Sequence, residues 1–159
     1  TGVAINIATS AGPPVTTGHY VRVKSAYTRL CMQPWGQLMD PGIALAQQSC
    51  DHRKMFQRIT FVPVGNDLYQ MVFSEHSDLC IAIAGGNTSA RADQLQCRNV
   101  MHFYWRVLQK PSGDYMFQNA DTGLCLYPSV NVPNGIIQQG NCNNGNAANS
   151  WNIVVPRDP

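Results

Sequence analysis

The chain has 159 residues, of which 44% are hydrophobic and 13% are charged, and its formal net charge is +2. This composition is too apolar for a disordered chain. Because the net charge is small and the chain has no run of Lys or Arg, we do not expect it to bind nucleic acid. No apolar stretch approaches the roughly 20 residues that a membrane-spanning helix needs. The length predicts one domain with a sizeable core.

Residues that favour turns dominate the composition. The chain contains 13 glycines and 10 prolines but a single glutamate, Glu75. Helix surfaces usually carry Glu, Lys and Ala, whereas Gly, Pro and Asn suit the turns between short strands. We therefore predict an all-β protein.

The N-terminal segment is rich in Gly, Pro and Thr and stands apart from the pattern that follows it. We expect residues 1–17 to form an extended arm and residues 18–159 to form the folded domain. An arm of this kind suits a subunit that docks onto a partner. A disordered terminus is the alternative that the composition leaves open.

One motif then occurs three times along the chain. It begins with a tyrosine, continues as an apolar strand, turns through polar residues and ends in Leu-Cys, at Cys31, Cys80 and Cys125. These cysteines are 49 and 45 residues apart. A second cysteine follows each of them after 19, 17 and 17 residues, at Cys50, Cys97 and Cys142.

An aromatic residue follows each second cysteine and opens a short apolar strand, at Phe56, Trp105 and Trp151. These aromatics are 49 and 46 residues apart, close to the period of the cysteines. We therefore predict three units of 45–49 residues, each with about four short strands separated by turns. A β-sandwich with coincidental cysteine spacing is the alternative, and the agreement of the two periods argues against it.

The cysteines are expected to form disulfides. Six cysteines allow 15 pairings, and the repeat favours the one that joins Cys31–Cys50, Cys80–Cys97 and Cys125–Cys142. Each bond would stabilise the fold by roughly 3 kcal/mol through lost chain entropy. Disulfides imply an oxidising compartment, so we predict a secreted protein, or a periplasmic one before export. Zinc is the competing use, but no C-x-x-C or H-x-x-x-H spacing supports it, and we predict no metal or other cofactor.

The third unit resembles a known family most clearly. Its "GLCL" and "GIIQQGNCNNGNAANSW" resemble the ricin-type β-trefoil, or ricin B-like lectin, domain. The resemblance covers about residues 18–156. It implies a six-stranded barrel capped by three hairpins around a pseudo-threefold axis. The family's closing Gln-x-Trp is altered in all three units, which leaves the fold assignment intact because the aromatic packs in the core whatever precedes it.

Sugar binding in that family needs an Asp just after the first cysteine and an aromatic just before the second. The Asp position holds Gln33, Ala82 and Tyr127. The aromatic position holds Gln48, Leu95 (or Gln96) and Gly140. The resemblance therefore implies that the galactose-type site is missing from all three units.

Other aromatic and amide side chains suit recognition of a saccharide, because amides bind hydroxyls and rings stack on C–H faces. The candidate ligand-binding residues are Trp35, Gln33, Tyr127, Asn134, Gln138, Gln139 and Asn141. For Trp35, packing within its loop is an equal alternative. For the third unit, the alternative is that Tyr127 covers the barrel rim and the amides cap turns.

A looser resemblance links the chain to the binding subunits of cytolethal distending toxin, through "FVPVGNDLYQMVFSEHSDLC" and the proline-rich "VVPRDP". Those subunits hold a nuclease and engage host-cell glycans or lipid. The resemblance implies a non-catalytic binding subunit of a secreted multi-component toxin, with a host cell-surface glycan or receptor and a catalytic subunit as its partners. The alternatives are a stand-alone lectin with non-galactose specificity and a purely structural assembly subunit.

An enzymatic function finds little support in the sequence. The segment "SEHSD" (residues 74–78) places Ser, Glu, His and Asp side by side, but a catalytic triad converges from separate elements. Glycoside hydrolysis needs two carboxylates across a cleft, and most aspartates lie in predicted turns. We predict that the chain is not an enzyme.

Overall fold

The computed structural model describes residues 8–143 and 147–156, which form three units of four strands. The first unit contains β1 (Arg22–Ser25), β2 (Cys31–Pro34), β3 (Ile43–Gln48) and β4 (Ile59–Gly65). The second contains β5 (Leu68–Phe73), β6 (Leu79–Ile83), β7 (Ala92–Gln96) and β8 (Trp105–Gln109). The third contains β9 (Tyr115–Asn119), β10 (Cys125–Pro128), β11 (Ile137–Gly140) and β12 (Trp151–Val154). Short 3₁₀ turns lie at Trp35–Gln37, Met55–Gln57, Met101–Phe103 and Ala147–Asn149.

Six strands close into a barrel. The pairs run β4–β5, β5–β8, β8–β9, β9–β12 and β12–β1, and a bridge between Val21 and Ile59 closes the ring. The hairpins β2–β3, β6–β7 and β10–β11 form the cap and contact one another through β3–β7 and two bridges, Ala46–Ile136 and Arg91–Gln138. The predicted all-β trefoil of three repeats is confirmed.

The predicted disulfides are confirmed as well. Cys31–Cys50, Cys80–Cys97 and Cys125–Cys142 are bonded, each with Cα atoms 5.0 Å apart. In each unit the bond joins the first strand of the cap hairpin to a cysteine one or two residues beyond the end of the second strand. The hairpin is therefore closed covalently at its base.

The predicted register of the first unit is wrong. Phe56 does not open a strand: it lies in a 3₁₀ turn, and β4 begins at Ile59. Ile59, Trp105 and Trp151 take equivalent places in the barrel, 46 residues apart in both intervals, and all three are fully buried. The aliphatic Ile59 thus takes the place of a tryptophan, and Phe56, which precedes it by three residues, is only half-buried.

The first unit nevertheless keeps the glutamine that precedes this position in the family motif. Gln57 is fully buried, and its Nε2 donates to Gln33 Oε1 at 2.9 Å and to the Ser49 carbonyl at 3.0 Å. In the third unit Asn149 takes the same place and donates to the Asn141 carbonyl at 3.2 Å. The motif is therefore Gln-x-Ile in the first unit and Asn-x-Trp in the third.

Three buried glutamines, one in each unit, hold the cap hairpins to one another. Each amide nitrogen donates to two carbonyls of the neighbouring hairpin loop. The pairs of acceptors are Val130 and Val132 for Gln47, Leu38 and Asp40 for Gln94, and Gly85 and Asn87 for Gln139. The cap is therefore fixed by six side-chain hydrogen bonds that repeat with the pseudo-threefold symmetry.

The side-chain oxygens of these three glutamines differ in whether they accept a hydrogen bond. Thr28 and Thr122 donate to Gln47 Oε1 and Gln139 Oε1 at 2.7 and 2.8 Å, whereas Gln94 Oε1 is buried without a partner in the described structure. The β5–β6 turn is one residue longer than its counterparts, counting from the barrel strand to the cysteine. Residues 74–78 of this turn include no threonine, so no equivalent of Thr28 and Thr122 donates to Gln94 Oε1.

We expect Gln139→Leu to destabilise the fold more than Gln94→Leu. Leucine at residue 139 leaves two loop carbonyls and the Thr122 hydroxyl unpaired, which costs about 2–3 kcal/mol. The same change at residue 94 also removes an acceptor that is already unpaired, so its cost is smaller. Urea unfolding of the oxidised proteins measures both free energies, and equal losses would contradict this account of the cap.

The described part of the N-terminal arm packs against the barrel. Thr9 pairs with Gln109 through hydrogen bonds of 2.9 and 2.7 Å, and the Gly12 N–H lies 3.3 Å from the Val107 carbonyl. Gly12 has φ +74°, and a Cβ there would lie 2.7 Å from the Tyr69 hydroxyl. Residues 8–12 therefore follow β8, while residues 1–7 lie outside the described residues, so the arm as a docking element stays a prediction.

Candidate functional site

A depression of about 300 Å³ lies on the third unit, next to its disulfide. It is lined by Tyr127, Gly140, Asn141, Asn143 and Asn149. Tyr127 comes from β10 and Gly140 comes from β11. The antiparallel register of these two strands sets Cys125 opposite Gly140 and Tyr127 opposite Gln138. We call this depression the third-unit pocket.

The ring of Tyr127 lies over Gly140. A Cβ built on Gly140 would approach Tyr127 Cε1 to 2.6 Å, so a side chain at residue 140 would displace the ring. Gln138 Nε2 hydrogen-bonds the Tyr127 hydroxyl and fixes the ring from its other end. The pocket thus has an aromatic ring beside the second cysteine, although the ring comes from β10 and not from β11.

Asparagine side chains form the rest of the pocket. Asn141 and Asn143 are exposed, whereas Asn149 is buried and its Nδ2 donates to the Asn141 carbonyl at 3.2 Å. Asn149 Oδ1 lies 3.4 Å from the Nζ of Lys110. Lys110 is buried, and this burial lowers its pKa, while the negative charge of Asp114 partly opposes the shift. Asn149 is therefore held at the base of the pocket.

Three of the predicted site residues meet here: Tyr127, Gln138 and Asn141 share this part of the third unit. Asn143 and Asn149 were not among the predicted site residues, although Asn149 lies at the altered Gln-x-Trp position, which was a signal. A ring with amide donors and acceptors can bind a ligand that combines hydroxyl groups with an apolar face.

Gln33 and Gln139 are placed inside the protein. Gln33 is 1% exposed and accepts a hydrogen bond from Gln57, and Gln139 is fully buried in the cap. Asn134 binds the first hairpin instead, since Gln48 Nε2 donates to its Oδ1 at 2.6 Å. The side chains of these three residues make contacts within the fold, and none of the three lines the third-unit pocket.

Trp35 lies elsewhere on the cap. The residue is 49% exposed and borders a depression of about 260 Å³, together with Arg91 and Ile136. Arg91 Nε pairs with Asp93 Oδ1 at 2.7 Å, and burial raises the pKa of Asp93 against the opposing effect of Arg91. Other exposed apolar side chains on the hairpin loops are Leu38, Val130 and Val132.

The segment "SEHSD" forms the β5–β6 turn: Ser74 contacts Thr60 through its hydroxyl at 2.7 Å, and His76 is exposed.

In residues 8–143 and 147–156, no three His, Cys, Asp or Glu side chains are grouped so as to hold a metal ion. Over the same residues, no helix is long and apolar enough to cross a membrane.

Comparison by sequence finds no matching protein family and no matching curated protein. Solved structures do match. The designed threefold-symmetric protein ThreeFoil is 17% identical, with a TM-score of 0.78 over 85% of this chain and 97% of its own. A ricin B-like lectin from Macrolepiota procera, solved with lactose, is 15% identical, with a TM-score of 0.75 over 91% and 100%. Cytolethal distending toxin from Actinobacillus actinomycetemcomitans is 12% identical, with a TM-score of 0.73 over 90% and 95%.

These identities show a shared fold and no more, so the chain is a β-trefoil of the kind found in ricin B-like lectins and in the toxin. The same fold also forms part of longer proteins. In an exo-β-1,3-galactanase from Clostridium thermocellum, the match covers 31% of that chain. Similar structures therefore include binding proteins as well as parts of enzymes.

Proposed function

We propose that the protein is a non-catalytic glycan-binding protein and that the third-unit pocket is its saccharide site. The observation that carries the proposal is the Tyr127 ring over Gly140, in a pocket otherwise lined by asparagines. A saccharide presents C–H faces that pack on a ring and hydroxyls that pair with amides. The lactose complex of the Macrolepiota procera lectin supports this use of the fold.

The specificity should differ from that of galactose-binding trefoils. Tyr127 occupies the position where those lectins have an Asp, so no carboxylate accepts hydrogen bonds from a hydroxyl pair at that position. The ring instead fills the space above Gly140, and the exposed Asn141 and Asn143 supply both donors and acceptors. We infer a neutral saccharide other than galactose.

We expect Tyr127→Ala to reduce glycan affinity about five- to thirtyfold, since loss of a stacked ring costs about 1–2 kcal/mol. Gly140→Ala should have a similar effect, because its Cβ displaces the ring while residue 140 keeps an ordinary backbone conformation. A glycan array identifies the ligand, and calorimetric titration then measures its affinity for each variant.

Tyr27→Ala is the matched control for this experiment. Tyr27 is 50% exposed on the first unit and lies outside the third-unit pocket. Its variant should bind like the wild type and unfold at the same urea concentration. A blank array with the oxidised wild type, or full affinity in both pocket variants, would rule out this saccharide site.

We further infer that glycan binding serves a secreted multi-component toxin, in which this chain recognises the host cell surface and docks onto a catalytic subunit. The similar fold of cytolethal distending toxin and the three disulfides support this role. The exposed Trp35, Leu38, Val130 and Val132 offer an apolar surface for a partner.

Purification of the tagged chain from its native source separates this role from the alternatives. A stoichiometric partner that Trp35→Ser and Val132→Ser release, together with glycan binding, supports the toxin subunit. Glycan binding by a chain without a partner supports a stand-alone lectin. A partner without glycan binding supports a structural assembly subunit.

A further inference from the structure

A second cleft, of about 480 Å³, shares no lining residue with the third-unit pocket. Its lining combines basic side chains, an aromatic ring and an apolar wall from the C-terminal strand: Arg22, His52, Arg58, Tyr20, Val154, Val155 and Pro156. We call it the basic cleft. It lies between the first unit and the end of β12.

Arg22 and Arg58 face each other across neighbouring segments. The antiparallel bridge between Val21 and Ile59 sets the two arginines opposite one another, and Arg22 in turn lies opposite Val154 on β12. Because Val21 and Ile59 are fully buried, strand alternation turns both arginines to the outer face. Like charges directly opposite each other destabilise a pair of strands.

The other two units do not repeat this pair of charges. The equivalent register sets Gln70 opposite Tyr104 in the second unit and Met116 opposite Ser150 in the third. The trefoil therefore does not require two cations at this position. Their presence in one unit alone calls for an explanation outside the fold.

Both guanidinium groups also have buried donors without an acceptor. Arg58 is oriented by three contacts: Nη2 donates to the His52 carbonyl at 3.2 Å, Nη1 lies 3.9 Å from Glu75, and Cζ lies 4.8 Å from the centre of the Tyr20 ring. The Nε atoms of Arg22 and Arg58 remain buried with no hydrogen-bond partner in the described residues. A buried unpaired donor costs about 1–3 kcal/mol and often marks the place of an ion or water.

The geometry points to an anion site: the basic cleft binds a carboxylate or sulfate group between Arg22 and Arg58. Such a group accepts hydrogen bonds from the two guanidinium groups that line the cleft and offsets the repulsion between their charges. Guanidinium forks match the planar or tetrahedral oxygens of these anions. Tyr20, Val154 and Val155 would contact a carbon skeleton, so the anion can be free or carried by an acidic saccharide.

Titration of the oxidised chain with sodium sulfate, sialyllactose and neutral lactose tests this site, with all buffers at one ionic strength. We expect Arg22→Gln and Arg58→Gln each to weaken sulfate binding at least tenfold. Arg98→Gln, which removes the same charge from an exposed position of the second unit, should bind sulfate like the wild type. Thermal unfolding in sulfate against chloride gives a second measurement, and the control variant corrects for the general stabilising effect of sulfate.

The anion site does not depend on the proposed saccharide site, and Tyr127→Ala should leave sulfate binding unchanged. Arginine-dependent binding of both sulfate and sialyllactose would show that the cleft accepts an acidic saccharide. Arginine-dependent binding of sulfate alone would show a site for a small free anion. Equal sulfate affinity in the wild type and both arginine variants would overturn the proposal.

Discussion

Reduction of the three disulfides should unfold the domain under conditions in which the oxidised protein is stable. Each bond closes a loop of 19 or 17 residues, and such a loop stabilises the folded state by about 3 kcal/mol. The three together approach the whole free energy of unfolding of a typical domain, about 5–15 kcal/mol. Circular dichroism with and without a reductant measures the effect, and an unchanged melting temperature would contradict it.

Removal of single disulfides separates stability from binding. The Cys80–Cys97 and Cys125–Cys142 bonds both span 17 residues, so their loss should lower the melting temperature by a similar amount, about 6–12 °C. Only the Cys125–Cys142 bond adjoins Asn141 and Asn143 in the third-unit pocket. Cys125→Ala/Cys142→Ser should therefore also weaken glycan binding, whereas Cys80→Ala/Cys97→Ser should not. Equal binding losses would show that the pocket depends on overall stability alone.

The fold could be predicted from the sequence because its markers lie close together in the chain. Each disulfide joins cysteines within one unit, and the turns between strands are short and rich in Gly, Pro and Asn. Cysteine periodicity therefore carries the architecture even where other motifs have changed. The first unit departs from this pattern, because Ile59 replaces a tryptophan and the nearest aromatic in the sequence, Phe56, lies outside the strand.

The binding surface was harder to predict because it depends on contacts between strands. Gln138 and Gln139 are adjacent in sequence, yet Gln138 holds the Tyr127 ring and Gln139 is buried in the cap. Composition cannot separate two neighbouring amides whose side chains point to opposite faces of β11. The basic cleft was also hard to predict, because Arg22 and Arg58 are distant in sequence and come together only when the bridge between Val21 and Ile59 closes the barrel.

The buried tryptophans should be the side chains on which stability depends most. Trp151 is fully buried, packs 6.2 Å from the Phe117 ring and donates its Nε1–H to the Leu126 carbonyl at 3.1 Å. Trp105 makes the equivalent hydrogen bond to Ile81 at 2.9 Å. Each indole therefore fills the barrel and also ties it to the cap hairpin of its own unit.

We expect Trp151→Ala to lower the free energy of unfolding by about 3–5 kcal/mol, from the cavity and the lost hydrogen bond together. Ile59→Ala removes the equivalent side chain of the first unit, leaves a smaller cavity and breaks no hydrogen bond, so it should cost about 2–3 kcal/mol. Trp151→Phe removes the N–H donor but only part of the ring volume, so it should cost less than Trp151→Ala, about 1–3 kcal/mol. Urea unfolding of the three oxidised variants tests this order. A larger loss at Ile59 than at Trp151 would mean that the first unit, and not the tryptophan anchor, determines the stability of the barrel.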